Sequence, residues 1–199
     1  MKTINKLRMM MMAAVAIVCG MTLVCCGGDD DNDGPGAAKK QVDRVDMHVT
    51  CSMSEDLAHL ISVRLDGEQD MPYSSKSNSM YITTDGTQQT LLTVNKFPAK
   101  MKTTVSINDI RNAPKKDKYD IECNFKVILV TYFTDGSNEV TPIDKPLVDY
   151  QSSISGVNEA DLDRVLTTYK NLITTYLTTS ISLAQKEEST GNHIYSSST

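Results

Sequence analysis

The sequence predicts a mainly β protein: an antiparallel, immunoglobulin-like β-sandwich of about seven strands followed by one long C-terminal α-helix. Three observations support this prediction. Between residues 42 and 150, apolar and polar residues alternate along several short segments, with the period of two expected for half-buried strands. Turn dipeptides separate these segments. Between residues 158 and 184, apolar residues instead recur at spacings of three and four, which is typical of an amphipathic helix.

The chain begins with the anatomy of a secretory signal peptide, over residues 1–25. A positively charged segment comes first, formed by Lys2, Lys6 and Arg8. An uncharged apolar run from Met9 to Val24 follows, and its end resembles the lipobox of bacterial lipoproteins, with Leu23 three places before Cys26. The resemblance makes Cys26 the lipidated residue, and its acyl chains would hold the protein on a membrane. The alternative is an uncleaved transmembrane helix over Met9–Gly28.

Four aspartates follow the predicted lipidation site. They resemble the acidic export tag that follows the lipidated cysteine in surface-exposed lipoproteins of Bacteroidota, and they are Asp29, Asp30, Asp31 and Asp33. The segment from Asp29 to Gly34 also reads like the start of an EF-hand calcium loop, but that loop needs a Glu at its twelfth position, where this chain has Lys40. No metal site is therefore predicted, and residues 26–41 are expected to form a disordered acidic tether.

Charge and cysteine content limit the function classes. Removal of the signal peptide from the 199 residues would leave 174, with 17 Lys and Arg against 25 Asp and Glu, a formal charge of −8. This balance argues against nucleic-acid binding, which needs a basic surface. Besides Cys26, the mature chain contains Cys51 and Cys123, both predicted to point inward on separate strands. A disulfide between them and two buried free thiols are the alternatives.

The predicted sandwich spans residues 42–150. Its first strand ends at Met53, a turn is expected over Ser54–Leu57, and its longest strand runs from Tyr119 to Thr134. The polar segment Ser74–Ser79 is predicted to be a loop. Three dipeptides suited to positive backbone angles predict tight turns: Asp66-Gly67, Asp85-Gly86 and Asp135-Gly136.

Five short segments of the sandwich carry a resemblance to known proteins. They are Ser54-Glu55-Asp56-Leu57, Leu65-Asp66-Gly67, Phe97-Pro98-Ala99, Lys118-Tyr119-Asp120 and Tyr132-Phe133-Thr134-Asp135-Gly136. Together they resemble a group of small β-sandwich lipoproteins of gut Bacteroidota. The resemblance covers Val42 to Val140 and implies the fold and the location. It implies no activity, because that group has no defined one.

The pattern becomes helical in the last part of the chain. Residues 151–188 are predicted to form a linker and an amphipathic helix, and residues 189–199 a disordered polar tail. The apolar face of the helix is a candidate partner face formed by Leu162, Val165, Leu166, Tyr169, Leu172, Ile173, Tyr176 and Leu177. One alternative is that this face covers the chain's own sandwich near Ile128, Val130 and Tyr132. The other is that it binds a second copy in a homodimer or another envelope protein.

No catalytic residue or cofactor is predicted. The sequence has no G-x-S-x-G, H-E-x-x-H, P-loop or C-x-x-C motif. Its histidines fall on a predicted polar strand face, a turn and the tail, at His48, His59 and His193. Carbohydrate binding relies on flat aromatic faces, and the chain has no Trp. This weakens the case for carbohydrate binding. Three tyrosines could replace Trp only if they lie together and exposed, and the alternative for each is a role in the core or on a strand face: Tyr73, Tyr81 and Tyr132.

These observations predict a non-catalytic binding or assembly protein, lipid-anchored in the outer membrane of a Gram-negative envelope and exposed at the cell surface. The first alternative is an accessory glycan or polypeptide hydrolase with an unrecognised site. The second is a purely structural component of the envelope.

Overall fold

Alternating sequence patterns form most of the fold. The computed structural model describes residues 41–110, 114–141, 146–184 and 194–197, which contain ten strands and two helices. The strands are β1 Val42–Met53, β2 Ile61–Met71, β3 Ser74–Tyr81, β4 Gln89–Val94, β5 Ala99–Asp109, β6 Tyr119–Phe133, β7 Asn138–Thr141, β8 Val148–Val157, β9 Thr179–Ala184 and β10 Ile194–Ser197. The helices are α1 Glu55–Leu60 and α2 Glu159–Leu177.

The strands form two antiparallel sheets of five strands each. In sheet A, β4, β1 and β6 are neighbours in that order, and the far edge of β6 pairs with β8 over one part of its length and with β7 over another. In sheet B, the order is β10-β9-β5-β2-β3. A sandwich-like mainly β fold is thus confirmed. The immunoglobulin-like topology is not confirmed: β1 lies inside its sheet, whereas the first strand of an immunoglobulin domain lies at an edge.

The core lies between the two sheets. Sheet A contributes the inward residues of its central strands, among them Met47 of β1 and Phe125 of β6, and sheet B contributes Val63, Leu65 and Met101. Each of these side chains is almost completely buried. Burial of a large apolar side chain contributes roughly 1.5–3 kcal/mol, so this layer is the main source of stability.

The helix after residue 158 is shorter than the sequence predicts. It contains 19 residues and ends at Leu177. Thr103 of β5 hydrogen-bonds the backbone at this point: its hydroxyl donates to the Leu177 carbonyl at 2.5 Å and accepts from the Thr179 N–H at 3.0 Å. The chain then continues as β9, which pairs with β5. Ile181 fits a helical and a strand period equally well, so the pattern alone did not mark the end of the helix.

The domain boundaries in this part of the chain also differ from the prediction. The whole of the predicted linker, residues 151–157, belongs to β8, and the predicted disordered tail contains β10, so the helix lies between strands and is not C-terminal. In β8 only Val148 and Val157 are buried. Because most of its other side chains are polar and half or fully exposed, β8 has little of the apolar alternation that predicts a strand.

Asp66-Gly67 does not form a turn. β2 continues through it to Met71, and Gly67 is paired on both sides, with Asn78 of β3 and Thr103 of β5. A Cβ at Gly67 would lie 2.9 Å from both Leu91 Cγ and Leu92 Cδ2. The glycine therefore serves the close approach of β4 across the sandwich and not a hairpin.

The hairpin turn lies five residues later, at Pro72-Tyr73. The predicted loop Ser74–Ser79 is consequently the greater part of β3, the edge strand of sheet B. Met80 is the one fully buried side chain of β3, so the apolar alternation that predicts a strand is missing from it.

Other local predictions are confirmed or refined. β1 and β6 match the first and longest predicted strands. Gly86 and Gly136 have φ angles of 65° and 84°, as the predicted turns require. The turn predicted over Ser54–Leu57 is the start of α1, because the Ser54 hydroxyl accepts a hydrogen bond from the Leu57 N–H and caps the helix.

Candidate functional site

The edge strand β3 separates two surfaces of different character. Its side chains alternate, so that Lys76, Asn78 and Met80 point toward sheet A, opposite Gln69, Gly67 and Leu65 of β2. The intervening side chains point away from sheet A, beside the exposed residues of β2: Ser75, Ser77, Ser79 and Tyr81. We call the first surface the cleft and the second the outer face of sheet B.

The cleft lies between β3 and β4, the edge strands of the two sheets, and has a volume of about 270 Å³. Asn78 donates its side-chain N–H to the Leu91 carbonyl at 3.0 Å, and the Thr93 N–H donates to the Gln69 side-chain oxygen at 2.9 Å. Both backbone groups belong to the edge of β4 that faces away from β1. Side-chain amides of sheet B thus replace a neighbouring strand, and these groups of β4 are not free to pair with another chain.

The outer face of sheet B is polar and charged. β2 contributes Arg64, Asp66, Glu68 and Asp70, and β5 contributes Lys100, Lys102, Thr104 and Ser106. The register places Glu68 between Ser77 and Lys102, and Asp70 between Ser75 and Lys100. The Ser75 hydroxyl donates to the Asp70 carboxylate at 3.0 Å. Rows of hydroxyl, carboxylate and ammonium groups therefore cross the strands.

Tyr73 combines two unfavourable features at the tip of the β2–β3 hairpin. It has a φ of 63°, and its side chain is completely exposed. A bulky residue with positive φ is uncommon, and such a residue typically costs 1–3 kcal/mol. The other residues with positive φ in the described part of the chain are Gly86, Gly136 and Gly156. At this turn, where a glycine or asparagine would be the unstrained choice, the chain instead displays an aromatic ring.

Tyr81 lies at the other end of β3 and is 59% exposed. Its strand partner is Arg64, whose guanidinium pairs with the Asp66 carboxylate at 2.7 Å. The pKa of Arg64 is raised chiefly by Asp66, with a smaller contribution from a hydrogen bond to Tyr81. Tyr132, the third predicted candidate, belongs to sheet A and lies under the Arg44 guanidinium, 3.9 Å from its ring centroid. The structure thus places Tyr73 in the turn before β3 and Tyr81 at the last residue of β3, whereas Tyr132 belongs to the other sheet.

The predicted partner face of α2 lies largely inside the protein. The five residues that are buried in the common core are Leu162, Leu166, Tyr169, Ile173 and Leu177, and the three that are half-buried are Val165, Leu172 and Tyr176. The helix packs on β5 of sheet B and on β6 and β8 of sheet A. It therefore covers the chain's own sandwich, the first of the two alternatives. It does so beside Ile121 and Tyr150 and not at Ile128, Val130 and Tyr132.

The contact between α2 and sheet A includes polar and aromatic groups. The Tyr169 hydroxyl donates to the Ile121 carbonyl at 3.0 Å and lies 3.1 Å from the Ser152 hydroxyl. Burial raises the pKa of Tyr169 to about 12, so the phenol stays neutral and keeps its donor. The rings of Tyr150 and Tyr176 stack with their centroids 4.0 Å apart.

Both cysteines of the described chain are free and buried. On the neighbouring strands β1 and β6, Cys51 is opposite Phe125 and Cys123 is opposite Met53, so the thiols occupy diagonal positions. Diagonal neighbours lie roughly 7–8 Å apart, beyond the Cα separation that a disulfide spans. Burial raises the pKa of each thiol to about 12. They pack as small apolar residues, the second of the two alternatives, and are poor nucleophiles.

The lysine-containing connection before β6 is partly ordered by one ion pair. Lys116 donates to the Asp56 carboxylate at 2.5 Å, and the Asp120 N–H donates to the same carboxylate at 2.8 Å. Burial would raise the pKa of Asp56, but these two hydrogen bonds and the charge of Lys116 outweigh it and lower the pKa. This contact fastens α1 to β6 and has a structural role.

A second polar cluster lies on the face of sheet A that points away from sheet B. Arg44 donates to one oxygen of Asp46 at 3.3 Å, while the other oxygen, Oδ1, is buried without a hydrogen-bond partner. His48 lies farther along the same strand, and its Nδ1 is 3.0 Å from the Thr90 hydroxyl. In the described ranges no group of three His, Cys, Asp or Glu side chains could hold a metal ion.

The residues of the predicted membrane anchor lie outside the described residues; they are Cys26 and the export-tag aspartates Asp29, Asp30, Asp31 and Asp33. His193 also lies outside them. Within the described ranges, neither helix has the length and hydrophobicity to cross a bilayer. Comparison of the chain with protein-family models, with curated proteins and with solved structures found no match.

Proposed function

We propose that this chain is a non-catalytic binding protein, lipid-anchored at Cys26 in the outer membrane of a Gram-negative cell and exposed at its surface. The observation that carries the binding function is Tyr73, a strained and fully exposed aromatic residue at a hairpin tip. Strained residues persist where function requires them, and rigid exposed tyrosines are typical of recognition surfaces.

The sandwich supports this function as a rigid scaffold. Its hairpin tip is held by eight paired residues on each side of the turn, from Arg64 with Tyr81 to Met71 with Ser74. A side chain displayed on paired strands is positioned more precisely than one on an irregular loop. The apolar face of α2 offers little surface for assembly, because it is mostly buried in the core.

The predicted anchor supports the location. A lipobox-like segment, the four following aspartates and the resemblance to lipoproteins of gut Bacteroidota agree on a surface-exposed lipoprotein. The described domain begins at residue 41, so about fifteen residues would link it to the membrane. If extended, a linker of that length spans roughly 50 Å, enough to hold the hairpin tip away from the bilayer.

Metabolic labelling tests the anchor. Cells that express the wild-type chain should incorporate a palmitate analogue into it, whereas the Cys26→Ala variant should incorporate none and should leave the membrane fraction. Cys25→Ala is the matched control and should keep the label.

A second experiment tests the surface exposure. Protease added to intact cells should degrade the wild-type chain. A variant in which Asp29, Asp30, Asp31 and Asp33 are all replaced by Asn should keep the label but resist the protease. A wild-type chain that is labelled yet fully protected would contradict the surface location.

A further inference from the structure

We propose that the outer face of sheet B along β3 binds an extended, uncharged polysaccharide, with the rings of Tyr73 and Tyr81 stacking on its sugar units. This inference rests on the proposed binding function and names its ligand class. The juxtaposition that supports it is an exposed tyrosine in the turn before β3, Tyr73, an exposed tyrosine at the end of β3, Tyr81, and the hydroxyl-bearing side chains between them.

The geometry of β3 suits a linear ligand. Tyr73 and Tyr81 are eight residues apart, so at roughly 3.3 Å per residue they lie about 26 Å from each other along the strand. β3 pairs with β2 without a bulge from Ser74 to Tyr81. The strand pairing between the rings is therefore unbroken, and a polymer of several sugar units is long enough to contact both rings at once.

The residues between the rings have the chemistry that sugars need. Ser75, Ser77 and Ser79 point outward from β3, and their hydroxyls donate and accept hydrogen bonds. Beside them on β2 lie Glu68 and Asp70, whose carboxylates accept hydrogen bonds from hydroxyl groups. Aromatic rings cover the apolar C–H faces of sugars, while these polar groups meet the hydroxyls.

The charges of this face favour an uncharged ligand. Its described side chains include three carboxylates and three cations: Asp66, Glu68, Asp70 and Arg64 on β2, and Lys100 and Lys102 on β5. A polyanion or polycation would meet like charges over half of the face, at an energetic cost. A neutral polymer meets no such repulsion.

A protein partner suits this face less well. The centre of a protein–protein interface is depleted of charged residues and rich in apolar ones. On this face the outward positions between the two tyrosines hold serines and charged residues. Tyr, Ser and Asn do predominate in β3, as they do in antibody paratopes, so a protein partner is a defined alternative outcome of the experiment below.

The test uses the full lipidated chain purified in detergent. Native gels containing a single uncharged polysaccharide, such as starch, β-glucan, xylan, mannan or levan, measure binding as retardation. At least one of these polymers should retard the wild type. Tyr73→Ala and Tyr81→Ala should each weaken that binding about tenfold or more, the effect typical of an aromatic hot spot.

Matched variants separate stacking from folding and from the hydroxyl group. Tyr73→Phe and Tyr81→Phe keep the rings and should bind within about threefold of the wild type. Each variant lacks only the phenol hydroxyl and so loses at most one exposed hydrogen bond. Tyr132→Ala, on sheet A, should bind like the wild type. Thermal unfolding of every variant is the control for folding, and the two Ala variants should unfold at temperatures close to that of the wild type.

Four results would overturn the inference. In the first, no uncharged polymer retards the wild type. In the second, both Ala variants bind as the wild type does. In the third, binding occurs to acidic polymers alone and vanishes with salt. Capture of an envelope protein by the wild type, lost in Tyr73→Ala, would also overturn it but would leave the binding function standing. Shortening of the polymer during the assay would instead contradict the proposed non-catalytic function itself.

Discussion

The two sides of the sandwich, where the edges of its sheets meet, are covered in different ways. On one side, α2 inserts an apolar stripe that contacts strands of both sheets, with Tyr169 hydrogen-bonded to β6. On the other side, where β3 and β4 face each other, two side-chain amides bridge the sheets and leave a polar cleft. The first arrangement buries apolar surface and stabilises the fold. The second satisfies backbone groups at the edge of β4, and on this side β3 follows the exposed Tyr73 and ends at the exposed Tyr81.

This difference assigns stability to the side closed by α2 and recognition to the side formed by β3. The sequence left two alternatives for the apolar stripe of α2, the chain's own core and a partner face, because the same stripe fits both. Substitutions on the α2 side should therefore lower stability without changing binding, and substitutions at the tip of β3 should change binding without lowering stability.

The largest effect is expected at Ile173 of α2, which is fully buried. Ile173→Ala should lower the free energy of unfolding by about 2–5 kcal/mol, because it removes buried methylene groups and leaves a cavity. Leu172→Ala, at a half-buried position of the same helix, should cost distinctly less. Urea denaturation at constant protein concentration measures both. A small loss for Ile173→Ala, together with a stability that depends on protein concentration, would instead make α2 an assembly surface.

The next effect concerns the contact between β2 and β4. Gly67→Ala would place a methyl group 2.9 Å from Leu91 and Leu92, and overpacking of this kind costs about 1–3 kcal/mol. The double variant Gly67→Ala with Leu91→Ala should lose less stability than the sum of the two single losses, because the smaller residue makes room. If the two single losses in the free energy of unfolding, measured by urea denaturation, simply add in the double variant, residues 67 and 91 are not in steric conflict.

The sequence determined some of these features more clearly than others. β1 and β6 were predictable because each alternates over many residues with one buried face. Gly67 was misread because the Asp-Gly pair is a local turn signal, whereas its actual role depends on β4, more than twenty residues away. β3 was missed because an edge strand with one buried side chain lacks the apolar alternation of a half-buried strand.

The candidate site was only partly predictable for a related reason. Tyr73, Tyr81 and Tyr132 could be named from the sequence, but their grouping depends on which sheet each strand joins. The position of Tyr73 follows from the turn at Pro72-Tyr73, whose second residue is neither Gly nor Asn and so gives no local signal. Positive φ at a tyrosine becomes visible only in the folded chain.

A smaller change in stability is expected at Asp56, which connects α1 to β6 and lies on neither of these two sides. The pKa of Asp56 is lowered in the folded protein, so its charge adds stability above the unfolded pKa, near 4, and that stability is lost as the pH falls through the folded pKa. Asp56→Asn should therefore be less stable than the wild type at pH 7, and the difference should shrink below about pH 4. Thermal unfolding between pH 3 and pH 7, with Asp117→Asn as an exposed control, measures this; a constant difference would contradict it.

The smallest and most diagnostic change in stability is expected at Tyr73. Asn adopts positive φ more readily than Tyr, so Tyr73→Asn should raise the free energy of unfolding by about 0.5–1 kcal/mol. The same variant removes the ring and should weaken polysaccharide binding, so stability and binding should move in opposite directions. Ile173→Ala should show the reverse combination, with lower stability and unchanged binding. If Tyr73→Asn proved less stable than the wild type, the ring would be packing on its own domain, and its exposure would no longer support a role in recognition.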